Sequence, residues 1–203
     1  SRRTGVGMDI LYRATEYLWQ GGWVMIPLIA CSLAMWTLIG ERLYFFHSLT
    51  RRDIRIRDAI AMLDEKRATG EGQGLRQSLV ASFSKERTGQ PVLDKRILYA
   101  CALRQRPVLN RHLAAIAVLA SVAPLLGLLG TVIGMVDTFD VLSVFGTGNV
   151  KGLASGISVA LITTQSGLLV AIPGLLLSGY LYRRAARLEM RLEEITSVLM
   201  RHV

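Results

Sequence analysis

Long apolar runs separated by charged gaps dominate the chain. Positions 18–40, 113–136 and 152–182 contain no Asp, Glu, Lys, Arg or His. An α-helix rises about 1.5 Å per residue, so roughly 20 apolar residues cross a bilayer core. Each run is long enough, and each predicts a transmembrane helix. The third run also holds a polar patch, Ser158, Thr163, Thr164, Gln165 and Ser166, ahead of Pro173. Hydroxyls and amides at membrane depth are costly unless they face protein or water. That segment is therefore expected to line a pore or contact other helices. The first run is expected to remain as a span, because it exceeds the length of a signal peptide's apolar region and Glu41, Arg42 and Leu43 follow it instead of a small-residue cleavage site.

The gaps also read as helical. In 41–65, Leu43, Phe46, Ile54, Ala61 and Leu63 alternate with Arg52, Arg55 and Arg57, an amphipathic mixture that Gly70, Gly72 and Gly74 should break. A second helix is predicted over 75–87, stopped by Gly89, Gln90 and Pro91. A third should begin near Val92 and run directly into the second span, with Pro107 as a possible kink. Beyond the third span, Leu188, Leu192, Ile195 and Leu199 form a stripe at spacings of four, three and four. The stripe suits packing against like helices or within its own subunit. The predicted class is an all-α integral membrane protein with three transmembrane helices and long cytoplasmic helical extensions.

Composition agrees with this class and excludes a soluble one. The 203 residues are 51% hydrophobic and 19% charged, with the charges concentrated in the gaps. Their sign sets an expected orientation. Segment 41–112 has fifteen Lys and Arg against eight acids, and the tail 183–203 has five against three, whereas the loop 137–151 has Lys151 against Asp137 and Asp140. A basic excess marks the cytoplasmic side. Residues 1–17 are thus expected to be a periplasmic N-terminal segment and 41–112 a cytoplasmic helical domain. Residues 137–151 become a periplasmic loop and 183–203 a cytoplasmic C-terminal helix. The formal charge of +9 is then a topology signal. Its mixed sign along helices argues against nucleic-acid binding.

Little in the chain suggests catalysis. Cys31 and Cys101 are far apart in sequence and no Cys/His cluster occurs, so neither a disulfide nor a metal site is expected. His47, His112 and His202 are scattered, and solvated or interfacial positions suit them. No nucleophile–base pair or phosphate loop appears, and neither enzymatic activity nor a cofactor is expected.

The spans carry the informative chemistry. In the second, Gly127, Gly130 and Gly134 permit close helix approach, and Gly130 and Gly134 form a GxxxG pair. Pro124 opens the hydrogen-bond ladder there, as Pro173 does in the third. Thr131 is the hydroxyl near the centre of the second span. Thr164 lies at comparable depth in the third, with Ser158, Thr163 and Ser166 nearby. Intramembrane Thr often bonds its own helix. Two spans that each offer a mid-depth hydroxyl beside small residues favour a polar track between helices. No Asp, Glu, Lys, Arg or His lies inside the three spans, so a proton relay would need a carboxylate from a partner helix. The polar residues could alternatively serve sodium.

Residues 123–135 (APLLGLLGTVIGM) with Phe139, and 156–173 (GISVALITTQSGLLVAIP), resemble the signature helices of the MotA/TolQ/ExbB proton-channel family. Residues 21–27 (GGWVMIP) and Glu41, Arg42 and Leu43 resemble the ExbB-type branch, and three spans suit that branch better than the four of MotA-type stators. The resemblance implies a homopentamer in the bacterial inner membrane around the helices of an ExbD-like single-span subunit bearing a membrane Asp. It also implies a TonB-like energy transducer as the driven partner, with membrane lipid around the assembly. Thr131 and Thr164 correspond to the lumen threonines of the family. One position departs: where many members carry Glu in the third span, this chain has Val159. The partner's Asp would then act alone, and an uncoupled oligomeric scaffold, or a TolQ-like, gliding or secretion motor, is the alternative.

Overall fold

A computed structural model describes residues 21–51 and 74–201. Among these residues five α-helices form: α1 (Met25–Arg51), α2 (Leu75–Glu86), α3 (Pro91–Asn110), α4 (Leu113–Phe145) and α5 (Val150–Leu199). Among the described residues there is no strand. Three stretches are long and apolar enough to cross a membrane: α1, Pro91–Gly148 and α5. The first of these helices starts at Met25, inside the uncharged run 18–40, after a turn in which Gly22 has φ +66°. The residues are assigned to two compact units, which cut α1, α4 and α5 along their length.

The first unit comprises Ser1–Thr37 and Ala115–Leu177. Its centre is the antiparallel hairpin of α4 and α5. The turn is written in two residues. Gly146 takes φ +65°, which ends α4 without a Cβ penalty, and Asn149 accepts at Oδ1 from the Gly152 amide (3.0 Å), capping α5. The packing is inverted relative to a soluble core. Small residues fill the α4–α5 seam: Ala123, Gly127, Gly130, Gly134 and Thr138 on one side, Gly156, Ala160, Thr163 and Gly167 on the other. Large aliphatics such as Leu125, Leu129, Leu161 and Leu169 point outward. Lipid solvates Leu as well as another helix does, so close backbone approach, not aliphatic burial, holds such helices together. Helix α1 joins the unit through Met35, which packs at Gly174 and Ala120, and through the Cys31 thiol, which donates to the Leu119 carbonyl (3.4 Å).

The second unit comprises Leu38–Ala114 and Ser178–Val203. Its core is conventional, with Phe46, Leu79, Phe83, Leu98, Leu109, Leu181, Leu192 and Ile195 all below 3% exposed. The stripe Leu188, Leu192, Ile195 and Leu199 is buried within its own chain, closing the choice that the sequence left open. Arg106 to Glu193, and Asn110 Nδ2 to Glu189 Oε1 (2.6 Å), tie α3 to α5 along it. Helix α2 follows its expected span closely. Helix α3 does not run directly into the second span. It passes through Pro107, ends at Asn110, and breaks at Arg111 and His112, where His112 adopts φ +64°. The 52–65 part of the expected amphipathic helix, and its break at Gly70 and Gly72, lie outside the described residues. Gly74 caps the start of α2.

Asp94 organises the turn between α2 and α3. Its carboxylate is 1% exposed and accepts from Thr88 N (2.8 Å), Thr88 Oγ1 (2.9 Å) and Gly89 N (3.0 Å), with Arg87 Nε at 3.6 Å. Burial pushes this carboxyl up. The donors from Thr88 and Gly89, with the Arg87 charge, outweigh it and hold the group below the ordinary carboxylate range. The Cys101 thiol is buried and free, and burial, reinforced by Glu86, pushes it up. His47 is exposed, while His112 lies beside Glu41, Nδ1 to Oε2 at 3.1 Å.

Candidate functional site

The α4–α5 seam decides where each membrane hydroxyl points. A Cβ at Gly130 would collide with the Thr163 side chain, one at Gly134 would lie 2.6 Å from the Gly156 carbonyl, and one at Gly127 would lie 3.2 Å from Thr164 Cα. Gly130 is therefore level with Thr163, which is 1% exposed. Thr163 Oγ1 contacts the Val159 and Ala160 carbonyls at 2.9 and 3.0 Å, so it fills the seam and satisfies itself on its own helix. Thr138 does the same one turn away, donating to the Gly134 carbonyl (2.7 Å).

Thr131 and Thr164 each follow a seam residue by one position, a rotation of about 100°. In two antiparallel helices that face one another, such steps turn toward the same edge of the pair. Both threonines consequently flank one edge of the hairpin. By the Gly130–Thr163 register their Cα atoms differ by about two residues in level, roughly 3 Å. Both are half-buried. Thr131 Oγ1 donates to the Leu128 carbonyl (2.7 Å) and Thr164 Oγ1 to the Ala160 carbonyl (3.2 Å). With the hydroxyl hydrogens so directed, the oxygens present lone pairs outward, as acceptors.

The other polar positions lie elsewhere. Ser166 belongs to a groove of about 380 Å³ that α5 forms with α1, lined also by Ser32, Gln165, Met25 and Leu169. Val159 stands at the mouth of α1, where a Cβ on Gly22 would meet its Cγ1 at 3.6 Å. Ser158 is exposed on the outer side of α5. The five polar-track candidates and Val159 thus divide between the Thr131–Thr164 edge, the seam, the α1 side and the outer face. Gly127, Gly130 and Gly134 all face the seam, whereas Pro124 and Pro173 are half-buried within their helices. Among the described residues no group of His, Cys, Asp or Glu could hold a metal ion. Sequence reasoning missed Thr138 and the Asn149 cap. A GxxxG partner search would have found the first, and Asn before an apolar run signals the second.

Comparison with known proteins agrees with this architecture. Residues 69–194 match the model of the MotA/TolQ/ExbB proton channel family. An ExbB-like biopolymer transport protein of Synechocystis sp. is 31% identical over 78% of this chain and 80% of its own length. The biopolymer transport protein exbB1 of Vibrio cholerae is 31% identical, over 93% of this chain and 88% of its own length. The Tol-Pal system protein TolQ of Haemophilus influenzae is 26% identical over 88% of both.

Proposed function

Since the chain belongs to the MotA/TolQ/ExbB proton channel family, we propose that it is the channel subunit of an ExbB–ExbD-like motor in a bacterial inner membrane. It would use the proton motive force to drive a TonB-like transducer for outer-membrane transport. The observation that carries this reading is the common edge of Thr131 and Thr164, in spans that hold no Asp, Glu, Lys, Arg or His of their own. A pentamer would turn this edge toward a single-span partner whose membrane Asp carries the proton. An ionised carboxylate is costly in an apolar lumen. Hydroxyl oxygens that accept from the protonated carboxyl, and rotate to donate to the carboxylate, lower the barrier at the point of exchange. One charge crossing 100 mV yields about 2.3 kcal/mol, so a few protons supply a mechanical step. The N-terminus would lie in the periplasm and the C-terminus in the cytoplasm.

Val159 favours one competing reading, an oligomeric scaffold without coupling, because the third span lacks the Glu that many relatives carry. Co-expression with an acidic single-span subunit, followed by native mass spectrometry, separates the two. A pentamer that retains the acidic subunit supports the channel. A homo-oligomer that never takes it up leaves the scaffold.

A further inference from the structure

One cleft in the second unit is distinguished by its charge. It has a volume of about 340 Å³ and is lined by Thr50 of α1 and by Tyr180, Arg184, Arg187, Leu188 and Arg191 of α5. The three arginines repeat at spacings of three and four, so they share one helix face. Like charges at those spacings destabilise a helix unless something neutralises them. Four other arginines of the unit pair with an acid: Arg42 with Glu41, Arg87 with Asp94, Arg104 with Glu86, Arg106 with Glu193. In the cleft, Arg184 donates to two neutral oxygens, Tyr180 Oη (2.9 Å) and Thr50 Oγ1 (3.3 Å), and Arg187 Nε donates to the Arg183 carbonyl. None of the three pairs with a carboxylate among the described residues.

We propose that this cleft binds the phosphodiester headgroup of an anionic phospholipid. Depth identifies the source. The uncharged stretch of α5 ends at Tyr182, and Arg184 and Arg187 lie about 3 and 7.5 Å further along the axis. A headgroup layer is roughly 5–7 Å thick on each side of the hydrocarbon core, so a core boundary at Tyr182 would bring Arg184 to phosphate level and Arg187 to the outer edge of that layer. Arg191 sits further from the membrane, but its side chain leans back toward the helix N-terminus and so toward the bilayer. Tyr180 gives the cleft the amphipathic ring typical of a membrane–water boundary. Guanidinium forks suit phosphate oxygens in bidentate geometry, and basic pockets between helices at this level hold anionic headgroups. Arg184, fixed by Tyr180 and Thr50, is the preorganised member, while Arg187 and Arg191 are exposed and free to close on the phosphate.

The test uses the purified, delipidated oligomer in neutral detergent, titrated with phosphatidylglycerol or phosphatidylcholine and read by thermal shift and native mass spectrometry. The expected result is a preference for phosphatidylglycerol of about tenfold or more, lost in R187Q/R191Q and largely kept in R187K/R191K. Phosphatidylcholine binding should be the same in all three. Equal binding of the two lipids by the unaltered protein would overturn the proposal, as would an unaltered preference in R187Q/R191Q. Displacement of the lipid by millimolar inorganic phosphate would overturn the lipid assignment in favour of a free anion. Dissociation of the oligomer by R187Q/R191Q without change in lipid preference would instead make the cleft a subunit contact.

Discussion

The Arg42 guanidinium donates from Nη1 to the Val108 carbonyl at 3.1 Å, across 66 residues of chain. Val108 lies in the last turn of α3, where the carbonyls have no amide ahead because the helix ends at Asn110. A cation at a helix C-terminus both fills that acceptor and complements the helix dipole. Next door, Glu41 accepts from Arg42 Nη2 (3.3 Å) and faces His112 Nδ1, so Glu41 and Arg42 together clasp the break between α3 and α4. The two residues that end the first uncharged run in the sequence thus set how the second begins.

Arg42 is 2% exposed, and its removal would strand a buried carbonyl. Arg42→Ala should destabilise the protein by about 1–3 kcal/mol, seen as a lowered midpoint in a detergent thermal-shift assay. Arg42→Lys should recover part of this, because an ammonium can reach one acceptor but cannot bridge Val108 and Glu41 together. A midpoint unaltered by Arg42→Ala would remove the clasp from the account.

The seam glycines should differ sharply from a glycine outside it. A Cβ at Gly134 would meet backbone atoms of Gly156 and Ala160, which cannot step aside, whereas Gly40 has nothing within 4 Å. Gly134→Ala should force α4 and α5 apart and lower the thermal midpoint by several degrees, consistent with about 1–3 kcal/mol of overpacking. Gly40→Ala should be neutral or slightly stabilising. Equal effects at the two positions would contradict the seam.

Much of this was legible in the sequence and some was not, for identifiable reasons. Charge-free runs announce spans, and glycines at four-residue spacing announce close approach. The end of α3 was hidden because Pro107, the evident breaker, is accommodated. The chain breaks instead at Arg111 and His112, with a left-handed histidine that carries no glycine-like signal. Thr163 and Thr164 look equivalent in a string of letters. Only the register of Gly130 against Thr163 turns one into the seam and the other to the edge. Arg42 reads as an interfacial charge until the carbonyls of α3 are brought to it.

Asp94 makes the turn at Thr88 and Gly89 pH-dependent. Its folded pKa lies below the unfolded value of about 3.9, so its contribution is present above that value and is lost as pH falls through the folded pKa. Asp94→Asn should lower the thermal midpoint at pH 7. The gap between variant and unaltered protein should close as pH drops below about 4. A gap that stays constant to lower pH would mean that the carboxylate charge is immaterial there.

The central claim is that the edge formed by Thr131 and Thr164, and not the neighbouring Thr163, presents the oxygens past which a proton moves. It is tested by proton flux into liposomes that contain the chain together with the acidic single-span partner proposed for it. Thr131→Val and Thr164→Val should each reduce flux by about tenfold or more, equivalent to about 1.4 kcal/mol of barrier. Assembly and thermal midpoint should be nearly unaltered, because the lost bonds are to each residue's own helix. Thr163→Val should leave flux close to the unaltered value. Full flux in the Thr131→Val/Thr164→Val double variant, or an equal loss in Thr163→Val, would contradict the account.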